Sequence, residues 1–460
     1  MKMDQQFGMN RRAFLGNSTG ALGAMALSQL LGDEGVRAQN RARAKSVICL
    51  FQHGGPSQMD LFDPKPELTR MHGQKYVGDI EAHFEKQMGN CLASPFAFKP
   101  CGQSGLELSE LLSHTAGIAD DITLVRSMTT ESVDHESALR LIHTGKFIAG
   151  WPAWGSWVIY GMGSENRNLP AYVVLADPGG LPIDGARNWS SGWLPAVYQG
   201  VPLRAGKSPV PYLATPAEIT PSAQSGRLDF LRTLNRLHQH RFPDNTELVA
   251  RIANYETAAR MQTAVPEVLD LSRESDATRK LYGLGEDVTR EYGSRCLMAR
   301  RLVESGVRFV QLFLNSQPWD THDKNASKLK GLCARTDQPS AALVKDLKAR
   351  GLLDSTIVLW CGEFGRLPIS QGKDGRDHNR HGFSLWLAGG GFKPGYVHGR
   401  TDDFGYRAVE DTVTIHDLHA TLLHALGLDH HKLTFPNDGR LASLSDAEVT
   451  DAKVIGQLLA

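Results

Sequence analysis

The sequence lacks several features that would indicate a specialised class of protein. Its 50 lysines and arginines are balanced by 50 aspartates and glutamates, so no global field favours nucleic acid or an anionic membrane surface. It has no internal repeat and no low-complexity segment. With 41% hydrophobic and 22% charged residues among 460, the chain is neither disordered nor fibrous and is typical of one large or two ordinary domains. Binding must therefore come from a local site.

Cysteine is also scarce. The chain has six cysteines that form no C-x-x-C pair and no dense framework, at positions 49, 91, 101, 296, 333 and 361. Cys49 and Cys361 lie inside apolar runs, where a small buried side chain is the expected interpretation. Cys91 and Cys101 flank the short segment LASPFAFKP, and this spacing allows either a disulfide in an oxidising compartment or two free thiols.

The N-terminal 38 residues carry the most specific local pattern. MNRRAFLGNSTGALGAMALSQLLG has paired arginines, Arg11 and Arg12, before an apolar stretch that is too short and too rich in small residues to span a membrane. VRAQ then offers a small-x-small cleavage site ending at Ala38. The pattern predicts a twin-arginine export signal over residues 1–38. We therefore expect a periplasmic or extracellular protein that has no stable membrane span after cleavage.

Beyond the signal, apolar runs alternate with helical patterns, which predicts an α/β fold. Buried strands are predicted at SVICLFQ, ITLVRSM, AYVVLAD, VRFVQLFLN, STIVLWCGEFG and FSLWLAGGG. Helices are predicted at LSELLSHTAGIADD, DHESALRLIHTG, MARRLVESG, AALVKDLKARGLL and IHDLHATLLHALGL. Residues from about 178 to 285 break this alternation. We interpret them as an insertion within a domain spanning residues 39–460, or as a separate small domain.

Titratable side chains collect where the predicted strands end. In open α/β sheets, ligands bind outside the carboxyl ends of the strands, because the loops converge there. Five such loops supply histidine, carboxylate and arginine residues: His53 and Asp60; Asp134 and His135; Asp320 and His322; Glu363 and Arg366; and Asp377, His378 and His381. Histidines with carboxylates are the ligands expected for Zn or Mn, or for Mg or Ca where carboxylates dominate. The sequence therefore predicts a divalent-metal site.

No single pair of these residues is convincing, because a lone histidine at a strand end is more often structural than a ligand. Asp320 and His322 are two residues apart, so they would face the same side of an extended chain. His378 and His381 are three apart and could face one centre only if their segment turns. Which of these two histidines is a ligand stays open at this point.

Several longer motifs of the chain together resemble those of one protein family. They are STIVLWCGEFGR, GRDHNRHGFSLWLAGGGFKPGYVHGRTDDFG, TIHDLHATLLHALGLD, FQHGGPSQMDLFDPKP, NWSSGWLPAVYQG, RRLVESGVRFVQLF and WDTH, and they cover nearly the whole mature chain. The chain resembles an exported bacterial family, domain-of-unknown-function family 1501, of the alkaline phosphatase and sulfatase superfamily. This resemblance implies a three-layer α/β/α sandwich around a mostly parallel sheet, with one or two divalent metals at the strand ends.

Two positions depart from the superfamily pattern. Where its hydrolases carry a metal-binding Asp-His pair, this chain has Glu363 and Phe364. Where they carry a Ser, Thr or modified Cys nucleophile at the start of a helix, it has His135. Covalent catalysis needs a nucleophile positioned against the metal. We therefore expect any hydrolysis to proceed without a covalent enzyme intermediate.

The residues and the resemblance together favour metal-dependent hydrolysis of a sulfate or phosphate ester outside the cytoplasm. The expected metal ligands are Asp320, His322 and His378, a second set of Glu363 with His53 or Asp60, and the further candidates Asp377 and His381. Arg366 and Arg376 are expected to neutralise a tetrahedral oxyanion, or else to form structural ion pairs. His135 is expected to act as general base or as a further ligand.

The alternative is a non-catalytic relative that keeps the fold and works as a binding or assembly component of the cell envelope. The loop NWSSGWLPAVYQG has two tryptophans and a tyrosine. These suit stacking on sugar rings or on a partner surface, but they suit a packed cap over the sheet equally well. The missing nucleophile favours the non-catalytic alternative, whereas the clustered ligands favour the hydrolase.

Overall fold

The computed structural model describes residues 42–460, except for positions 205–209, 211, 212, 214, 217 and 244. The predicted signal peptide, residues 1–38, lies outside the described residues. The strands are β1 (Ser46–Phe51), β2 (Met88–Cys91), β3 (Phe98–Cys101), β4 (Leu106–Ser109), β5 (Ile122–Thr129), β6 (Tyr172–Leu175), β7 (Val201–Leu203), β8 (Phe309–Phe313), β9 (Thr356–Cys361), β10 (Gly365–Arg366), β11 (Ile369–Gln371), β12 (His378–Asn379), β13 (Phe383–Ala388), β14 (Tyr396–His398), β15 (Arg400–Thr401), β16 (Ala408–Glu410), β17 (Val413–Thr414), β18 (Phe435–Asn437) and β19 (Arg440–Ala442).

The helices are α1 (Gln58–Leu61), α2 (Pro66–Arg70), α3 (His135–Thr144), α4 (Trp154–Met162), α5 (Pro221–Arg241), α6 (Thr246–Leu269), α7 (Asp276–Leu281), α8 (Asp287–Glu304), α9 (Asn325–Ala349), α10 (Ile415–Ala425) and α11 (Ala447–Thr450). Short 3₁₀ segments lie at Glu85–Gln87, Glu110–Leu112, Thr115–Asp121, Gly185–Trp189, Ala196–Tyr198, Leu271–Arg273, Leu353–Ser355 and Gly456–Leu458.

A nine-stranded sheet forms the centre of the fold. Its strands follow the order β14-β5-β13-β9-β1-β8-β6-β7, and β17 also pairs with β5. Among the described strands of this sheet, β13 runs antiparallel to both of its neighbours, β5 and β9, and the remaining pairs are parallel. The mostly parallel α/β architecture predicted from the sequence is therefore confirmed.

The direction of β13 decides where the loop before it lies. Parallel strands present their carboxyl ends at one edge of a sheet, and an antiparallel strand between them starts at that same edge. Residues 375–382 therefore enter β13 from the edge at which β1, β5, β8 and β9 end. This loop reaches the predicted site by preceding a strand, whereas the other loops follow one.

Helices cover both faces of the sheet. Along β1 the side chains alternate, with Ile48 and Leu50 in one apolar core and Val47, Cys49 and Phe51 in the other. Side chains of α8 and α9 complete the first core, and those of α3, α4 and α10 complete the second. Because β1 is buried on both faces, its sequence is continuously apolar, as expected for a central parallel strand. The result is a three-layer α/β/α arrangement.

One predicted helix is absent. LSELLSHTAGIADD forms part of β4 and two 3₁₀ segments, Glu110–Leu112 and Thr115–Asp121. The carboxylate of Asp337 accepts hydrogen bonds from the backbone N–H groups of His114 and Thr115, at 2.7 and 2.9 Å. These tertiary bonds take up amides between the two segments, so the chain turns there instead of continuing as one α-helix.

Residues 178–285 contact the main domain in several places. They supply β7, which pairs in parallel with β6 at the edge of the central sheet. Further along, Met261, Val265 and Leu269 of α6 pack into the first apolar core. In contrast, α5 buries none of its residues.

The tryptophan-rich loop packs inward. Trp189 is only 3% exposed. The ring centroid of Trp193 lies 5.5 Å from that of Trp157 in α4 and 5.6 Å from that of Phe435. Of the two alternatives left by the sequence, the structure shows the packed cap.

The six cysteines of the chain are all free and buried, and Cys91 and Cys101 belong to different apolar clusters. Within the described residues, no helix is both long enough and apolar enough to cross a membrane.

The turn after β13 generates a first prediction. Gly389 has a φ of +66°, and a Cβ atom there would lie 2.1 Å from the carbonyl oxygen of Leu353. We expect Gly389→Ala to lower the free energy of unfolding by more than about 1 kcal/mol, because alanine is strained at this φ and clashes. Thermal melting followed by circular dichroism measures the loss. The control is Gly226→Ala in exposed α5, where a Cβ meets nothing within 4 Å; equal melting temperatures for the two variants would contradict the prediction.

Candidate metal centre

Six of the predicted site residues meet at the carboxyl edge of the sheet. They form two groups within the described chain, in each of which one potential ligand atom per residue lies within 4.8 Å of the others: His135, Asp320, His322 and His378 in the first, and His53, His135 and Glu363 in the second. His135, the first residue of α3, belongs to both groups. Loops that are far apart in sequence therefore converge on one centre.

Asp320 is the centre of the first group. Its Oδ1 atom lies 2.9 Å from His322 Nε2, 3.3 Å from His378 Nε2, 3.4 Å from His135 Nε2 and 2.6 Å from Arg366 Nη2. Burial raises the pKa of Asp320, but its contacts with the three histidines and the charge of Arg366 outweigh it and hold the pKa well below its usual range. The carboxylate is therefore ionised at neutral pH.

Two histidines of this group point the same ring nitrogen at Asp320. His378 Nδ1 lies 2.6 Å from the carbonyl oxygen of Val133, and His322 Nδ1 contacts the side-chain oxygen of Gln371. An oxygen acceptor at Nδ1 assigns the ring proton to that nitrogen. Burial lowers the pKa of His378 to about 4, so its Nε2 carries a free lone pair. That lone pair faces a carboxylate oxygen, and a cation between them would relieve the repulsion.

The second group is centred on Glu363, which is fully buried. Its Oε1 accepts a hydrogen bond from the Gly54 backbone N–H at 2.9 Å and lies 2.6 Å from His135 Nδ1. Burial raises the pKa of Glu363, but the nearby His53 and His135 lower it overall. His135 shows the opposite balance: burial lowers its pKa, and the contacts with the two carboxylates raise it overall.

Gly54 allows this close packing. It has a φ of +116°, and a Cβ atom at this position would lie 2.4 Å from the backbone nitrogen of Asp320. Only glycine lets the loop after β1 approach the loop after β8 this closely while donating its N–H to Glu363.

Buried ring nitrogens without partners test whether a metal fits these residues. His53 is 0% exposed, and neither of its ring nitrogens has a hydrogen-bond partner among the described residues. His135 Nε2 is likewise buried and unpartnered there. Leaving such an atom unsatisfied costs about 1–3 kcal/mol. Burial also lowers the pKa of His53, so its imidazole is neutral, as a metal ligand must be. The residues present therefore fit a divalent metal.

The two predicted oxyanion-binding arginines are buried structural cations. Arg366 is 0% exposed, and its guanidinium donates to Asp320 and to four backbone carbonyl oxygens, those of Gly54, Gly55, Trp319 and Arg376. Arg376 is also 0% exposed and pairs with Asp60 through Nε and Nη2, at 2.7 and 3.1 Å. All three nitrogens of each group are engaged with the protein. The structure therefore gives neither arginine free donors for a substrate.

Three of the predicted ligands lie outside the two groups. Asp60 is fully buried and bonds Arg376, Ser57 and Asn325. Asp377 accepts hydrogen bonds from the backbone N–H of Phe84 at 2.7 Å and of His378 at 2.8 Å. His381 Nε2 lies 2.8 Å from Glu81 Oε2, at the outer rim. Each of these side chains holds protein structure around the centre.

A segment that the sequence analysis did not single out covers the centre. Residues 79–87, here called the rim segment, place the His83 ring parallel to the His378 ring, with centroids 5.2 Å apart and planes at 20°. The Phe84 and His322 rings lie nearly perpendicular to each other, with centroids 5.2 Å apart. The rim segment has no apolar periodicity and follows no main-sheet strand, so neither signal used to find the other residues applied to it.

The central sheet and its histidine–carboxylate cluster define an α/β protein with a candidate metal centre at the carboxyl edge. The family described as "Protein of unknown function (DUF1501)" matches residues 44–459, and the chain belongs to this family. Among curated proteins, none matches the chain.

Several solved structures are similar at low sequence identity. A sulfatase from Pseudoalteromonas sp. is 13% identical over 88% of this chain and 71% of that one, with a TM-score of 0.36. A phosphonate monoester hydrolase from Silicibacter pomeroyi is 11% identical over 90% and 78%, with a TM-score of 0.34. A TAB5 alkaline phosphatase variant with Mg bound is 10% identical over 85% and 100%, with a TM-score of 0.35. The match to the family model, and not the similarity to these solved structures, shows which family the chain belongs to.

The Asp60–Arg376 pair generates a second prediction. Asp60→Asn leaves a buried arginine without its carboxylate, so we expect a loss of about 3–5 kcal/mol in the free energy of unfolding. Arg376 holds the pKa of Asp60 below 3.8 against the effect of burial. The contribution of the carboxylate is therefore fully present above that pH, and the difference between variant and wild type should shrink as the pH falls below it.

Chemical denaturation at several pH values measures this difference in the free energy of unfolding. Elemental analysis of the folded variant should show the same metal content as the wild type. Asp79→Asn, at an exposed position, is the control and should change stability by less than about 0.5 kcal/mol. Loss of metal from Asp60→Asn at unchanged stability would instead make Asp60 a ligand.

Proposed function

We propose that the protein is an exported, metal-dependent hydrolase of sulfate or phosphate esters. One observation carries the proposal: three histidines direct Nε2 at the same carboxylate oxygen of Asp320, at 2.9 to 3.4 Å, while each Nδ1 faces an oxygen acceptor. Nitrogen lone pairs directed at an anionic oxygen are the arrangement of ligands around a cation. Hydrogen bonds alone would need an additional proton on His378, whose pKa burial lowers to about 4.

The ligands would divide between two positions. Asp320, His322 and His378 would hold an ion at the first, and Glu363 and His53 would hold one at the second. His135 touches both groups. A divalent metal at these positions supplies Lewis-acid activation of the ester and of a water molecule. The nitrogen-rich first group favours Zn over Mn, Mg or Ca.

The position of His135 supports direct attack by water. His135 stands where the superfamily pattern places a hydroxyl or thiol nucleophile, and its Nδ1 is committed to Glu363 Oε1 at 2.6 Å. An imidazole held in this way orients Glu363 and contacts the cluster, and it is not positioned to attack an ester. The proposed reaction therefore transfers the phosphoryl or sulfuryl group to water in one displacement.

The proposed location is the periplasm or the cell exterior. The paired arginines Arg11 and Arg12, the short apolar stretch and the cleavage pattern ending at Ala38 support export through the twin-arginine route. Substrates would then be sulfated or phosphorylated molecules outside the cytoplasm.

A non-catalytic binding role is the second candidate, and the buried arginines favour it. Neither guanidinium is free to bind an oxyanion, and no hydroxyl or thiol occupies position 135. A protein that retains stoichiometric metal but turns over neither a phosphate nor a sulfate ester would fit this role in the cell envelope.

The two histidines of the loop before β13 give a third prediction. We expect wild-type protein to retain bound divalent metal after native purification, and His378→Ala to lose metal and thermal stability together, because a ligand is removed. His381→Ala should keep its metal, because this ring contacts Glu81 and not the cluster. Elemental analysis and thermal melting measure both properties. Wild-type metal content and melting temperature in His378→Ala would refute the metal interpretation of this loop.

A fourth prediction concerns the intermediate. During turnover of p-nitrophenyl phosphate or p-nitrophenyl sulfate, we expect no phosphorylated or sulfated side chain, because water attacks directly. Acid-quenched samples analysed by intact-protein mass spectrometry provide the test, with a phosphatase known to form a phosphoenzyme as the positive control. An adduct that accumulates on the protein and decays with turnover would overturn the proposal of direct attack.

A further inference from the structure

His83 is an exposed histidine at the mouth of the candidate metal centre. Its ring lies parallel to that of His378, with centroids 5.2 Å apart, and His378 Nε2 in turn lies 3.3 Å from Asp320 Oδ1. Unlike His378, which is only 3% exposed, His83 opens to solvent. Among the described residues, no hydrogen bond engages either ring nitrogen of His83. The ring is therefore held by stacking while its nitrogens stay available.

The rim segment is fastened on both sides of His83. The Phe84 backbone N–H donates to Asp377 Oδ2 at 2.7 Å. Glu81 Oε2 accepts from Arg380 Nη2 and contacts His381 Nε2, both at 2.8 Å. Three residues of the loop before β13 thus fix the segment that carries His83. His83 therefore has a defined place above the centre, although it is exposed.

Because Arg366 and Arg376 are buried, neither can donate hydrogen bonds to the oxyanion of a substrate. Hydrolysis of a phosphate or sulfate ester is favoured by cations or hydrogen-bond donors placed at the non-bridging oxygens of a tetrahedral anion. Arg366 and Arg376 are 0% exposed, and every nitrogen of both guanidinium groups bonds a protein acceptor. Arg380, a cation of the loop before β13, is paired with Glu81. His83 is a solvent-exposed ring beside the centre, and its donor is not used by any described residue.

We propose that His83 is a substrate-contacting residue that donates a hydrogen bond to the tetrahedral oxyanion of a phosphate or sulfate group bound at the metal centre. The inference rests on the proposed function, since the anion it binds is the reacting group or the released product. Glu81, Asp377 and His381 are then positioning residues, because they act by fixing the rim segment. Phe84 forms the apolar side of the same mouth, against His322.

Two substitutions separate hydrogen bonding from stacking. His83→Phe keeps an aromatic ring that can stack on His378 and removes the donor, whereas His83→Gln keeps a donor and removes the ring. The control is His114→Phe, an exposed histidine that precedes the start of β5 and so lies at the opposite edge of the sheet. Metal content and melting temperature are measured first for every variant, and both should equal those of the wild type.

Calorimetric titration with inorganic phosphate, and separately with inorganic sulfate, then measures binding to the protein as purified with its metal. We expect the wild type to bind at least one of the two anions, and His83→Phe to bind it about tenfold more weakly, as for the loss of one charge-assisted hydrogen bond. His83→Gln should lose less, and His114→Phe should be unchanged. The anion that shows the effect distinguishes a phosphatase-type from a sulfatase-type site.

Other outcomes would overturn the proposal. Wild-type affinity in His83→Phe would make the ring a structural contact only. If the metal-loaded wild type bound neither anion at tens of millimolar, as a rough upper concentration for weak sites, His83 would not be an oxyanion ligand, although the metal centre would stand. Wild-type protein without metal would refute the proposed function itself, and with it this inference.

Discussion

The buried guanidinium of Arg366 holds together the loops on which the candidate centre is built. It donates to the carbonyl oxygen of Gly55 after β1 at 3.0 Å, to that of Arg376 before β13 at 3.0 Å, and to Trp319 and Asp320 after β8 at 3.3 and 2.6 Å. A planar fork of five donors can bridge several acceptors in fixed directions, which the single ammonium of lysine cannot do. The histidines on these loops depend on that arrangement for their positions. The residue expected to bind substrate is thus the one that builds the site.

Charge balance explains why the same pocket suits a cation. Asp60 and Arg376 form a paired unit with no net charge. Asp320 and the fully buried Glu363 then bring two carboxylates to the centre, whereas Arg366 brings one positive charge. Burial keeps the histidines His53 and His378 in their neutral form by lowering their pKa values. Uncompensated buried charge is costly, and a divalent ion would offset it while using the imidazole lone pairs that face the carboxylates.

The sequence predicted the parts of the molecule that follow from local periodicity and strand topology. Continuous apolar runs identified the central strands, and the rule that loops converge at carboxyl ends identified Asp320, His378 and Glu363 as neighbours. That rule does not say which of these residues are in contact. Asp60 lies at the same edge as the cluster, but its carboxylate is turned toward Arg376. Burial of the arginines is a property of tertiary packing. His83 lies in a segment whose position is set by long-range bonds, which leave no periodic pattern in the sequence.

Phe364 and His135 are in direct contact at the candidate centre. The Phe364 ring packs between those of His135 and His378, with centroids 4.7 and 4.6 Å away, and Glu363 Oε1 lies 2.6 Å from His135 Nδ1. Phe364 thus fills the space between two imidazoles of the cluster without supplying a ligand atom. Replacing His135 by serine would remove an imidazole common to both groups, so the centre would lose a potential ligand.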